Sequence, residues 1–264
     1  MTTTARLARF ASALALSAAA AAPAAAQVTV TYTGSATNAT AFPFQQGGNT
    51  YAYYVGPANG TVKYTAPGTT NIQTLSVNLF CVDFLDRITA GQTYSANVTY
   101  LTAGNTGTAT RTQGSLTKYR QAAFLVDQFA AFSAAGDRDV KYGAIQGAIW
   151  RLFGTGTATL SNPSGAAGNN TIEYWTTLAS NFAASAQFSA YDYSRFAVLT
   201  DARVGSTNAI RYGDAYAQEF IAMVPPGTTV PEPGTIALTA AGLLGLAAAA
   251  RRRGHTTPNT EVSA

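Results

Sequence analysis

A lone cysteine and a glutamine on a predicted helix carry most of the chemistry this sequence offers. Cys81 is the single cysteine among 264 residues, so no intramolecular disulfide can form. In an oxidising compartment an unpaired thiol is a liability unless it is buried or chemically occupied. The single histidine, His255, lies beyond a C-terminal arginine cluster. Residues 27–230 therefore hold no His-based triad, no Cys–His dyad and no ordinary histidine metal site. Tyr142, Gln146, Ile149, Trp150 and Phe153 recur at helical spacing and form one stripe. Gln146 interrupts this otherwise apolar face, and burying a primary amide costs free energy unless its donors and carbonyl are all bonded. Leu75, Val77, Leu79 and Cys81 alternate along one face of a predicted strand, which points the thiol into the core. Reaction of that thiol with the Gln146 side chain expels ammonia and leaves a thioester. This step removes the amide donors and occupies the thiol together. The plainer alternative is a small core cysteine and a glutamine bonded to backbone.

Phe80-Cys81-Val82 and Ile145-Gln146-Gly147-Ala148-Ile149-Trp150 resemble the two motifs of bacterial thioester domains. Those motifs are a cysteine after an aromatic or Leu and before an apolar residue, and apolar-Gln-x-x-apolar-apolar. The resemblance spans about Leu75 to Phe153 and implies an internal Cys81–Gln146 thioester within a β-rich body bearing a helical insertion. It implies covalent attachment without turnover, the acyl group of Gln146 passing to a partner amine or hydroxyl, so the protein is expected not to be an enzyme. Asp83 and Trp150 are the candidates for the surroundings of the bond. Asp83 could orient or deprotonate the nucleophile, and its plainer reading is a solvated or capping carboxylate. The pairs Asp83/Asp86 and Asp137/Asp139 suggest glycosidase or calcium chemistry only weakly. Asp137 and Asp139 stand at a helix start, where acids complement the dipole. Tyr51-Ala52-Tyr53-Tyr54 could stack sugars, although such residues more often pack strands. No cofactor or metal is implied.

The elements that must position these groups follow from periodicity. Alternation predicts strands at Val28–Thr33, Tyr51–Val55, Thr61–Tyr64, Ile72–Phe84 and Thr93–Leu101, separated by Gly- and Pro-containing turns. Helical spacing predicts Tyr119–Phe132 ending at Gly136, Val140–Phe153 closed by Gly154, and Glu173–Ala184. Strands return at Phe196–Arg203 and Glu219–Val224. The expected fold is α+β: a β-rich body, barrel or sandwich, with an inserted helical block. Asn105–Gly114 and Thr155–Asn170 are rich in Gly, Thr, Ser and Asn and read as loops.

The two ends read as addresses. Arg6 and Arg9 precede an apolar stretch that closes in Pro23-Ala24-Ala25-Ala26, the pattern of a secretory signal peptide over residues 1–26. At the other end Val230-Pro231-Glu232-Pro233-Gly234 leads into an apolar run and then Arg251-Arg252-Arg253. Residues 234–250 are just long enough to span a bilayer, and the three arginines form a stop-transfer signal that holds that end in the cytoplasm. The prolines Pro231 and Pro233 stiffen an extended segment flanking Glu232, where a processing enzyme could grip it. This order resembles the PEP-CTERM sorting signal of exosortase substrates, although here Gly254–Ala264 follows the arginines.

Charge agrees with that division. The chain carries +4, yet setting aside Arg6, Arg9, Arg251, Arg252, Arg253, Glu232 and Glu261 leaves +1 between Gln27 and Val230. The basicity belongs to the targeting ends, and a nucleic-acid partner loses its support.

The expected organisation is a signal peptide (1–26), a thioester-domain-like region (27–228) and a sorting tail (229–264). Signal peptidase and exosortase are the expected processing partners, with transient anchoring in the inner membrane through the C-terminal helix. The final location is the cell surface or extracellular matrix. There the protein bonds covalently to surface protein amines or polysaccharide hydroxyls, or serves as a non-covalent structural or binding protein of the exopolysaccharide biofilm matrix.

Overall fold

Alternation of buried and exposed residues sets the strand faces. In β4 (Ala58–Thr65) Ala58, Gly60 and Val62 are buried while Asn59 and Lys63 are exposed. In a computed structural model, which describes residues 27–35, 40–46, 49–65, 70–84, 86, 88–102, 109–112, 116–154, 159–204 and 217–224, six such strands close into an antiparallel barrel. They are β1 (Gln27–Ser35), β4, β5 (Ile72–Cys81), β8 (Phe220–Met223), β7 (Phe196–Asp201) and β6 (Thr93–Tyr100), in that spatial order. Closure comes from β1, which pairs with β4 on one side and β6 on the other. A closed barrel leaves no open edge. The barrel form, rather than a sandwich, is thereby decided.

Val28, Val30, Val62, Val77, Leu79 and Ala96 are buried and fill the barrel interior. Gly60 makes room there, since a Cβ at that position would stand 2.4 Å from Leu79 Cδ1. A second apolar layer lies between the barrel wall and the helices, where Phe80, Phe196, Val198 and Ile221 join helical side chains. Strand β7 serves both layers, which is why all six of its residues are buried.

The helices fall between β6 and β7: α1 (Leu116–Ala131), α2 (Arg138–Phe153), a 3-10 turn at Gly168–Asn170, α3 (Ile172–Ala183) and the single-turn α4 (Gln187–Ala190). Helix α2 is buried continuously from Lys141 to Trp150, as a helix walled on several sides must be. Its neighbours are α1, α3 and the separate hairpin of β2 (Thr40–Gln46) and β3 (Asn49–Val55). Gly147 lets α3 approach closely, because a Cβ there would meet Ile172 Cδ1 at 2.6 Å. Gly154 ends α2 at φ +96° and donates its N–H to Trp150 O at 3.0 Å, a positive φ that glycine permits.

Several expectations change. Strand β5 ends at Cys81 instead of running to Phe84, because Val82 bonds to the segment before β8 while Asp83 and Asp86 turn to Arg111. Gly136 does not cap the first helix, which ends at Ala131. Strand β2 was not anticipated, its Phe42-Pro43-Phe44 lacking a clear period of two. Among the described residues no helix is long and apolar enough to cross a membrane. The expected signal peptide and the expected helix at 234–250 lie outside the described residues.

Candidate functional site

Strand β5 and helix α2 meet at Cys81. Gln146 and Trp150 stand one helical turn apart on α2 and therefore share a face. Gln146 Nε2 donates to the Cys81 carbonyl at 2.7 Å, and Trp150 Nε1 donates to Cys81 Sγ at 3.2 Å. Consecutive turns of one helix thus hold both the backbone and the sulfur of the cysteine. The thiol in turn donates to Asp83 O at 3.0 Å. Gln146 is 1% exposed, as its place in the apolar stripe predicts.

Cys81 is half-buried as a residue and packs against the helix-facing cluster, with its thiol turned into desolvating surroundings. Burial pushes the thiol well above its usual range. Trp150 draws it back, the nearby Asp83 charge raises it further, and the net direction is upward. The free thiol is therefore protonated at neutral pH. Tyr53 and Phe84 flank the Trp150 indole, with ring centroids at 6.0 and 5.0 Å, and this aromatic packing fixes where its N–H points.

Asp83 is not the solvated or capping carboxylate expected of it. It is 3% exposed and its Oδ2 lies 2.7 Å from Arg111 Nη1. Asp86 shares the same guanidinium. Arg111 also donates through Nη2 to Ala217 O at 2.7 Å and through its backbone N–H to Glu219 Oε1 at 3.0 Å. Glu219 Oε2 accepts from Tyr119 OH at 2.6 Å, and its Oε1 accepts from Thr200 Oγ1. Three buried carboxylates thus gather around one arginine. Burial, with the charge of Asp83 beside it, pushes Asp86 up to about 7 against the pull of Arg111. Burial likewise raises Glu219 despite its hydrogen bonds. The cluster ties together the segment after β5, the approach to α1 and the approach to β8.

Arg111 and Gln218 escaped the sequence reading. Arg111 lies in a stretch whose Gly and Thr content marks only a loop. Glu219 did leave a signal, a carboxylate heading the apolar run Phe220–Val224 and one of two glutamates between residues 27 and 230. Asp137 and Asp139 stay apart from this site. Asp137 Oδ2 pairs with Lys141 and accepts from Asn170 Nδ2, without capping α2 through its side chain. Asp139 pairs with Arg138. In the tyrosine run, Tyr53 packs inward on Phe84 while Tyr54 is 67% exposed. Among the described residues no group of three or more His, Cys, Asp or Glu side chains is placed to hold a metal ion.

Pro231, Glu232, Pro233, Arg251, Arg252 and Arg253 lie outside the described residues. No curated protein and no solved structure matches the chain. Residues 229–253, however, match the family model of the PEP-CTERM protein-sorting motif, and with that signal the chain is an exported protein sorted by exosortase.

Proposed function

We propose that this exosortase-sorted protein attaches covalently to a partner at the cell surface or in the extracellular matrix through a Cys81–Gln146 thioester. The observation that carries the reading is the 2.7 Å bond from Gln146 Nε2 to the Cys81 carbonyl, which brings the one glutamine of a buried helix to the one cysteine of the chain. To form the bond, Sγ attacks Gln146 Cδ, the S–C bond forms and the C–N bond breaks. The thiol proton leaves with the amide nitrogen as ammonia. When a partner amine later attacks Cδ, the C–S bond breaks and a proton returns to sulfur, restoring the thiol. Trp150 Nε1–H, 3.2 Å from Sγ, lies where negative charge builds on the leaving sulfur, the placement that stabilises a transition state. The partner stays joined to residue 146 by an amide, so each molecule reacts once.

The same 2.7 Å bond favours a second reading. It satisfies a buried amide donor with a backbone carbonyl, as a non-covalent matrix protein without a reactive site would require. Intact mass of the purified exported protein separates the two. The covalent reading expects a mass lower than the sequence by one ammonia, restored upward by methylamine, with neither effect in Cys81→Ala or Gln146→Ala. Trp150→Phe keeps the ring but loses the donor, and should slow methylamine opening by about tenfold. A full sequence mass with a titratable thiol leaves the non-covalent reading.

A further inference from the structure

Gln218 spends its side-chain amide on the backbone that holds Cys81. Its Nε2 lies 2.9 Å from Asp83 O and 3.0 Å from Asp86 O, clamping the turn that follows β5 at both ends. Asp83 O is the acceptor of the Cys81 S–H, so Gln218 and the thiol share one carbonyl. A thiol has one weak donor and sulfur lone pairs. With S–H turned to Asp83 O and one lone pair facing Trp150 Nε1, a second lone pair is left for the Gln146 carboxamide.

Gln218 is itself rigidly carried. Its backbone carbonyl accepts from Tyr94 OH at 3.4 Å. On one side Ala217 N–H donates to Asp201 Oδ2 at 2.8 Å and Ala217 O accepts from Arg111. On the other, Glu219 O accepts from Val82 N–H at 3.1 Å while the Glu219 carboxylate is held by Tyr119 and Thr200. Supports of this kind set the orientation of a reacting group without touching what reacts with it. We infer that Gln218, from a segment remote in sequence, is the positioning residue that fixes the Asp83 carbonyl and so aims the Cys81 sulfur at Gln146. The nearby Gln218 amide also lowers the thiol pKa against the effect of burial.

The inference deepens the thioester reading, and its test is chosen so that the two can fail separately. Gln218→Met preserves size and removes both donors. In a Gln146→Ala background the thiol stays free, and the pH profile of its alkylation by iodoacetamide reports how it is held. Adding Gln218→Met should move that profile to higher pH, with about tenfold less thiolate at a given pH. In the otherwise native protein, Gln218→Met should lower the fraction of chains lacking one ammonia several-fold. A role in packing alone would shift the melting temperature and leave the alkylation profile in place, and that result overturns the inference. Gln218→Leu, which also lacks the donors and adds no charge, serves if the methionine variant does not fold, with the same upward shift expected. If the wild type shows no ammonia loss, the thioester reading fails while the alkylation profile still decides whether Gln218 aims the sulfur.

Discussion

Asp86 shows how a single residue at this site couples charge to stability. It is 2% exposed, shares Arg111 with Asp83 and is pushed up to about 7, chiefly by burial. Its pKa in the folded protein therefore exceeds its unfolded value, and the folded state binds the proton more tightly between those two values. Stability linked to Asp86 is fully present below the unfolded pKa of about 4 and is lost as pH rises through about 7. Asp86→Asn removes that titration. Chemical denaturation of both proteins at pH 5 and pH 8 should show the variant gaining stability relative to wild type at the higher pH. A constant difference across the two pH values would mean that Asp86 stays ionised throughout. Arg111 cannot be treated in the same way, since removing it would leave the buried Asp83 and Asp86 carboxylates without their cation, a change of about 3–5 kcal/mol.

Helix α2 is the element on which the site depends, because Gln146 and Trp150 project from it to the end of β5. Its depth between α1, α3 and the β2–β3 hairpin relies on glycine at the closest approach. Gly147→Ala would place a methyl 2.6 Å from Ile172 Cδ1 and 2.8 Å from Ile172 Cγ1, and Ile172 is fully buried with little room to move. Overpacking of this kind costs about 1–3 kcal/mol. A thermal melt should show the loss, and the displaced α2 should also reduce the ammonia-loss fraction in the intact mass. An unchanged melting temperature would mean that α3 swings away freely. Helix α2 was readable in outline, from Tyr142, Ile149 and Phe153 at helical spacing and from the Gly154 stop. Its burial on all sides was not readable, because Gly143, Ala144, Gly147 and Ala148 look neutral on a helical wheel and only neighbouring elements make them interior. Likewise the end of β5 at Cys81 was hidden, since Val82 and Phe84 continue the apolar pattern while serving the helix-facing layer.

For the whole molecule, sorting rests on residues 229–253 and the proposed attachment rests on β5 and α2. The lack of histidine from residue 27 to 230 bears on what the thioester would accept. A hydroxyl needs a general base in the transition state, and such assistance is worth about 10²–10⁴-fold. The carboxylates close to Cys81 are engaged by Arg111, Tyr119 and Thr200. An unprotonated amine needs no such base. Methylamine should therefore open the thioester at least about a hundredfold faster than glycerol at equal concentration, read as adduct masses over time. Comparable rates would point to a base supplied from elsewhere in the chain.

Sequence alone determined the sorting signal, because Pro-Glu-Pro, an apolar run and three arginines act as a linear address that needs no fold to be read. It also placed most of the strands and the three longer helices, though not β2, and offered Cys81 and Gln146 as candidates, since periodicity and the rarity of each residue are local properties. Only the tertiary structure decided that six strands close into a barrel, that Asp83 is buried on Arg111, and that Gln218 reaches the Cys81 turn. Those facts join residues remote in sequence, Asp83 to Arg111 across β6 and Gln218 to Asp83 from more than a hundred positions away. Partners so distant are chosen by packing and by the need to satisfy every buried polar group, and no local pattern encodes that choice.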